Sequence, residues 1–145
     1  MTPAKKAAVM AKLRALAATF PGVIEKPSHG APSFFLGEKK CFASITDNHH
    51  GDGRYKLWVC APPGAQAMLI DSEPDHYFYP KYVGHRGWVG VYLDAAPWRS
   101  IASALEQGFL ARGGSFTTEA TGTSGSRRPS APRSSARGGR GSRRR

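Results

Sequence analysis

Histidine and cysteine are the residues of this chain best suited to metal or nucleophile chemistry, with five of the first and two of the second. His49 and His50 are adjacent, between Asp47 and Asp52. Neighbouring side chains in an extended loop diverge, and no third soft ligand is near. Zinc sites show a recognisable ligand spacing instead. The stretch DNHHGDGR, Asp47 to Arg54, therefore reads as a polar hairpin tip. His29, His76 and His85 are scattered. Cys41 and Cys60 fall inside strand-like runs, where cysteine serves as a small hydrophobe. No CxxC, GxSxG, GxGxxG or GxxxxGK[ST] occurs, and GEKK at Gly37 to Lys40 is no phosphate loop. The expectation is a chain without catalytic residues, metal or cofactor.

The most unusual composition lies at residues 76–93, HYFYPKYVGHRGWVGVYL. Tyr77, Phe78, Tyr79, Tyr82, Trp88 and Tyr92 alternate there with Lys81, His85 and Arg86. Interleaved aromatic and basic groups stack on bases and pair with phosphates. The same set could line a small pocket at a sheet edge, or fill the core of a small domain while the cations stay solvated. Gly84, Gly87 and Gly90 are costly in ordered backbone unless the fold needs them. Gly90 interrupts a strand, which implies a bulge or a close neighbour such as Trp58, Trp98 or a ligand.

The surrounding elements follow from periodicity. Residues 4–19 read as a helix, with Val9, Leu13, Leu16 and Phe20 on one face and Pro21-Gly22 as its stop. Val23 to Glu25 reads as a short strand and Lys26 to Pro32, with two prolines, as a loop. Ser33 to Leu36, Lys40 to Thr46 and Tyr55 to Ala61 form an antiparallel meander. A short helix at Gly64 to Ile70, a strand at His76 to Tyr79 and a strand at Trp88 to Leu93 come next. Pro97 opens a last helix with the stripe Trp98, Ile101, Ala102, Leu105 and Phe109. Two helices covering one face of an antiparallel sheet make an α+β fold.

The meander also has a predicted register. If the eight-residue connection 47–54 is symmetric, Thr46 faces Tyr55 and Cys41 faces Cys60. A one-residue slip would separate the cysteines.

Charge divides the chain in two. The formal net charge is +11, yet residues 1–112 hold 13 Lys and Arg against 9 Asp and Glu. Residues 113–145 hold 8 Arg and a single acid, Glu119. After Ala111 the only large apolar residue is Phe116, so the folded domain is expected at residues 1–112. Residues 113–145 are expected to be a disordered, Arg/Gly/Ser-rich basic tail that attracts nucleic acid non-specifically. No apolar run is long enough to span a membrane. The N-terminus lacks the apolar region of a secretion signal. Two cysteines make no disulfide scaffold. A cytoplasmic, reduced protein, monomeric or weakly dimeric, is the expectation.

FPGV at Phe20 to Val23, HGAPSFFLGEKKCFASI at His29 to Ile45 and DHYFYPKYVGHRGWVGVYLD at Asp75 to Asp94 resemble the MmcQ/YjbR family. The resemblance covers about residues 5–112 and implies a fold similar to CyaY, the bacterial frataxin. It implies DNA binding with a double-wing description and no catalytic set. On that reading Lys39, Lys40, Arg54, Lys56, Lys81 and Arg86 contact phosphates, and Trp88 or Tyr82 stacks or wedges. The hairpin tips around Lys39 and Arg54 act as wings. The alternative is a small-molecule or protein-binding module whose pocket is Tyr79, Tyr82, His85 and Trp88. The final helix departs from the family pattern, ending at Gly108 to Arg112 before the low-complexity tail. The first helix has no acids, so an acidic iron-binding ridge has no residues to occupy it.

Overall fold

The computed structural model describes residues 1–116. The expectations for the tail beyond Phe116 lie outside the described residues. Met1–Ser115 form one compact unit.

The chain opens with α1, Pro3–Ala17. Thr2 caps it by accepting the Lys5 amide proton at 3.2 Å, and Pro3 fills a first-turn position that needs no donor. The helix buries Met10, Leu13 and Ala17, with Phe20 just beyond its end. Val9 and Leu16 flank this stripe rather than centre it. At the other end α3, Trp98–Ala111, buries Ile101, Ala104, Leu105, Gly108 and Phe109. Trp98 and Ala102 are only half-buried. Pro97 stands one position before the predicted one, as the N-cap residue. The two helices meet where Phe20 stacks on Phe109 at a centroid distance of 4.8 Å.

Between them lie β1 (Val23–Ser28), β2 (Ala31–Leu36), β3 (Lys40–Asp47), β4 (Tyr55–Val59), the short helix α2 (Ala65–Ser72), β5 (Tyr77–Phe78) and β6 (Val89–Tyr92). The six strands form one antiparallel sheet in the order β1-β2-β3-β4-β6-β5. The fold is α+β, as expected.

Residues 26–32 are not a loop. β1 and β2 pair through to Ser28↔Ala31, and only His29 and Gly30 turn, both at positive φ (51° and 79°). That is a two-residue hairpin of the kind whose twist matches its strands. The prolines that signalled a loop are tolerated by position. Pro27 is on the edge strand, and Pro32 lies beyond the last β2–β3 pair, Ser33↔Ser44.

The β3–β4 register also differs from the symmetric one. Asp47 faces Tyr55 and Ala43 faces Val59, so Cys41 is not opposite Cys60. The Cys60 amide instead donates to the Phe42 carbonyl at 2.8 Å. Asp47 joins the ladder, which shortens the connection by one residue to 48–54, and the connection contains the 3-10 turn His49–Gly51. Both thiols are free.

Alternation divides the sheet into two faces. Ala43, Ile45, Tyr55, Leu57, Val59, Val89 and Val91 join Leu13, Phe20, Leu105 and Phe109 in the core under the helices. Phe42 enters the same core from a register shift beside Phe34/Phe35. No helix among the described residues is long and apolar enough to cross a membrane.

Candidate functional site

Among the described residues, no helix covers the other face of the sheet. Ser33, Phe35, Cys41, Ser44, Thr46 and Trp58 lie out of phase with the core residues of the same strands. This face is the floor of a groove of about 940 Å³, whose lining includes Phe35, Lys39, Cys41, Ser44, Thr46, His49, Trp58, Tyr82, Arg86, Trp88 and Arg112.

Two loops form one wall. The tip after β3 is pinned by Asn48, whose side chain accepts the Gly53 amide at 2.7 Å, and by Asp52, which accepts the Arg54 amide at 2.9 Å. It sets His49 edge-on to Trp58 at 5.2 Å. Loop 79–88 is held from behind by Gln66 of α2, which donates to the carbonyls of Gly84 (2.8 Å) and Trp88 (2.6 Å). Its Tyr82 ring lies 6.0 Å from Trp58, and His50 Nε2 is 3.0 Å from the Tyr82 hydroxyl. Burial, with His50 and Lys56 nearby, lowers the His49 pKa.

Cations sit over the aromatic rings. Lys26 Nζ is 4.5 Å from the Phe35 centroid, Lys81 Nζ 5.7 Å from Tyr82, and the Arg86 guanidinium 5.7 Å from Trp88. Arg112, on the residue after α3, donates to the Cys41 carbonyl at 3.1 Å and closes the groove from the helix side. The acid in the lining, Asp47, is paired with Lys6 at 2.7 Å.

The structure distributes the predicted contact residues unevenly. Lys39, Arg86, Trp88 and Tyr82 line the groove. Lys40 is exposed at the start of β3, outside the lining, and Lys81 is exposed above Tyr82. Arg54 forms a two-point ion pair with Asp94, both contacts at 2.8 Å, and stacks 3.8 Å above Tyr92. Lys56 is buried, bonds Asp52 and lies over Phe78. Their partners titrate accordingly: the Arg54 bond holds Asp94 below the usual carboxylate range, and the Lys56 bond does the same for Asp52. Tyr79 and His85 lie outside the groove lining, and the Tyr79 ring closes over Gly84, where an added Cβ would lie 2.4 Å from it. The close neighbour over Gly90 is Phe78, 2.2 Å from an added Cβ, rather than either tryptophan or a ligand.

Sequence reasoning missed Phe35, Thr46, His49, Trp58 and Arg112 as lining residues. A signal existed for Trp58, which alternates out of phase with Leu57 and Val59. The meeting of its ring with Tyr82 depends on how two loops fold over the sheet, which no local pattern encodes. Cys60 is away from this groove, in a second pocket with Met68, Leu69 and Tyr77, where burial raises its thiol pKa. No cluster of three or more His, Cys, Asp or Glu suited to a metal ion occurs among the described residues.

The sequence matches the YjbR family over residues 18–111. By structure the chain is similar to a crystal structure of Deinococcus radiodurans protein DR2400, described by its DUF419 domain. The identity is 19%, the TM-score 0.59, and the match covers 70% of this chain and 75% of that one. At that identity the likeness shows the fold alone. No curated protein matches the chain.

Proposed function

The chain belongs to the YjbR family, and from that premise we propose that it is a non-enzymatic nucleic-acid-binding module that uses the open face of its sheet. The observation that carries this reading is the exposed Tyr82 ring beside Trp58 at the groove, with Lys81 over Tyr82 and with Lys26 and Arg86 over the buried rings of Phe35 and Trp88. Aromatic faces bind bases by stacking, and flanking cations follow the phosphates. Lys39 and Arg86 are the cations placed to do so in the lining.

The same geometry favours single strands over duplex. A base reaches a sheet floor only when it is free of its own stack. A winged duplex contact would need Arg54 and Lys56, whose charges are committed to Asp94 and Asp52. Those two residues hold the tip and β4 in place. The CyaY-like reading rests on element order, with a helix, an antiparallel sheet and a closing helix.

A small-molecule ligand in the same groove is the second reading. It is favoured by concavity and by two buried polar atoms in the lining residues, Trp58 Nε1 and Thr46 Oγ1, that have no hydrogen-bond partner among the described residues.

The test uses the full chain with its eight tail arginines changed to Gln, so that tail charge does not mask the groove. Labelled single strand and duplex of one sequence are titrated by anisotropy. Tighter binding of the single strand is expected, with loss of that binding in Lys39→Gln/Arg86→Gln. Equal affinity in that double variant, or preference for duplex, would overturn the proposal.

A further inference from the structure

The tip after β3 brings two imidazoles together. The His49 and His50 rings lie 4.1 Å apart, centroid to centroid. His49 also stands edge-on to Trp58 at 5.2 Å and to Tyr82 at 6.0 Å. Tyr82 lies 6.0 Å from Trp58, and its hydroxyl meets His50 Nε2 at 3.0 Å. The tip and loop 79–88 thus meet over the half-buried Trp58, and His49 touches the other three rings.

Burial and charge both work against a proton on His49. A charged ring gives up more hydration on packing than a neutral one. From its own tip His49 faces His50 and Asp52, from β4 Lys56, and from loop 79–88 Lys81 and Tyr82. Asp52 is the acid of that set, and it is already bonded to Lys56. The indole acts the other way, since an aromatic face attracts a cation.

The tip is lightly held. His50 keeps φ at 56°, a left-handed conformation that costs a residue with a side chain energy. Its bond to Tyr82 is exposed. That bond outlasts protonation of His50 with the roles exchanged, because the phenol both donates and accepts. The proton-sensitive contact is therefore the packing of His49, and a segment held by exposed contacts opens at low cost.

We propose that His49 makes this tip a proton-sensitive cover for Trp58, closed while its imidazole is neutral and released when the ring takes up a proton. The closed tip binds that proton more weakly than the open one. Closure is therefore complete above the ordinary imidazole pKa of about 6.5 and weakens as pH falls below it. Release bares the Trp58 ring on the groove floor. The cover works without nucleic acid, whatever the groove binds.

The test is NMR of the full chain with labelled aromatic rings, from about pH 8 to about pH 5, the range in which imidazole titrates. Contacts of the Trp58 ring with His49 and Tyr82 should be present at the upper end and fade at the lower. The His49 ring should titrate below about 6.5. His49→Phe keeps a ring on Trp58 and removes the charge, so its Trp58–Tyr82 contacts should persist throughout. His50→Gln should still lose them, with a midpoint at higher pH, because one neighbour that can become a cation is gone. Contacts that persist at the acid end in the unchanged chain, or a His49 ring that titrates above about 6.5, would overturn the proposal. Equal fading in His49→Phe would do the same. So would parallel loss of the Phe20–Phe109 contact in the core, which would mean that the domain unfolds instead of opening its tip.

Discussion

Arg54 shows how a basic residue on a hairpin tip becomes structural. Its guanidinium reaches across 40 residues of sequence to Asp94 and lies on the Tyr92 ring. A two-point guanidinium–carboxylate pair is among the stronger polar contacts, but Arg54 is 39% exposed at its side chain, which screens it. Asp94→Asn should therefore cost only about 1 kcal/mol at neutral pH by urea denaturation. The acid side gives a sharper signature. Asp94 and Asp52 both have folded pKa values below their unfolded ones. Their contribution is complete above the unfolded carboxylate pKa of about 3.9 and is lost as pH falls through the lower folded values. Stability should thus decline below about pH 4, and the decline should be shallower in Asp94→Asn. An identical acid limb in the variant would mean that the pair does not shift Asp94. Sequence reading located Arg54 and Lys56 correctly on or beside the tip but could not see their carboxylates, because neither Asp94 nor the turn that presents Asp52 is fixed by local pattern.

At the scale of elements, the packing of α3 turns on Gly108. A Cβ there would stand 2.3 Å from Val59 Cγ2 and 2.8 Å from the Cys60 carbonyl oxygen. The first contact is a side chain, and the second is backbone that cannot swing aside. Gly108→Ala gains about 1 kcal/mol of helix propensity. Overpacking costs typically about 1–3 kcal/mol, so the net effect should be destabilising, visible as a lower urea midpoint. A higher midpoint would mean that α3 lifts from β4 without penalty. Leu105, fully buried in the same helix, should lose about 2–5 kcal/mol on truncation to Ala. Trp98 is half-buried, its ring under Lys12, and truncation there should cost less. The helices and most strands were legible because apolar spacing survives in the sequence. The β1–β2 hairpin was hidden by Pro27 and Pro32, since residue type alone does not say that a proline occupies an edge. The β3–β4 register failed by one residue for a similar reason. Whether Asp47 joins the ladder depends on Asn48 and His50 adopting positive φ, which their sequence permits but does not demand.

For the whole molecule, the distribution of charge separates two contributions to nucleic-acid affinity. Residues 1–112 carry 13 basic and 9 acidic side chains, and several of those cations are already paired or capped on rings. Residues 113–145 carry 8 arginines against one acid. Arginines that neutralise phosphates release counterions, and the logarithm of affinity falls with the logarithm of salt at about 0.7 per single-strand phosphate contacted. If all eight tail arginines engage a long single strand, they add at most roughly 5 or 6 to the slope, more than the few free groove cations could add. Changing the eight to Gln should therefore remove most of the affinity at low salt and flatten the salt dependence. Base preference, which depends on ring and edge contacts at the groove, should persist in what binding remains. Titrations of the two chains at several salt concentrations check both parts. A salt slope unaltered by the arginine changes would place the phosphate contacts on the sheet face instead, with Lys39, Lys40, Lys81 and Arg86 as the cations left to make them.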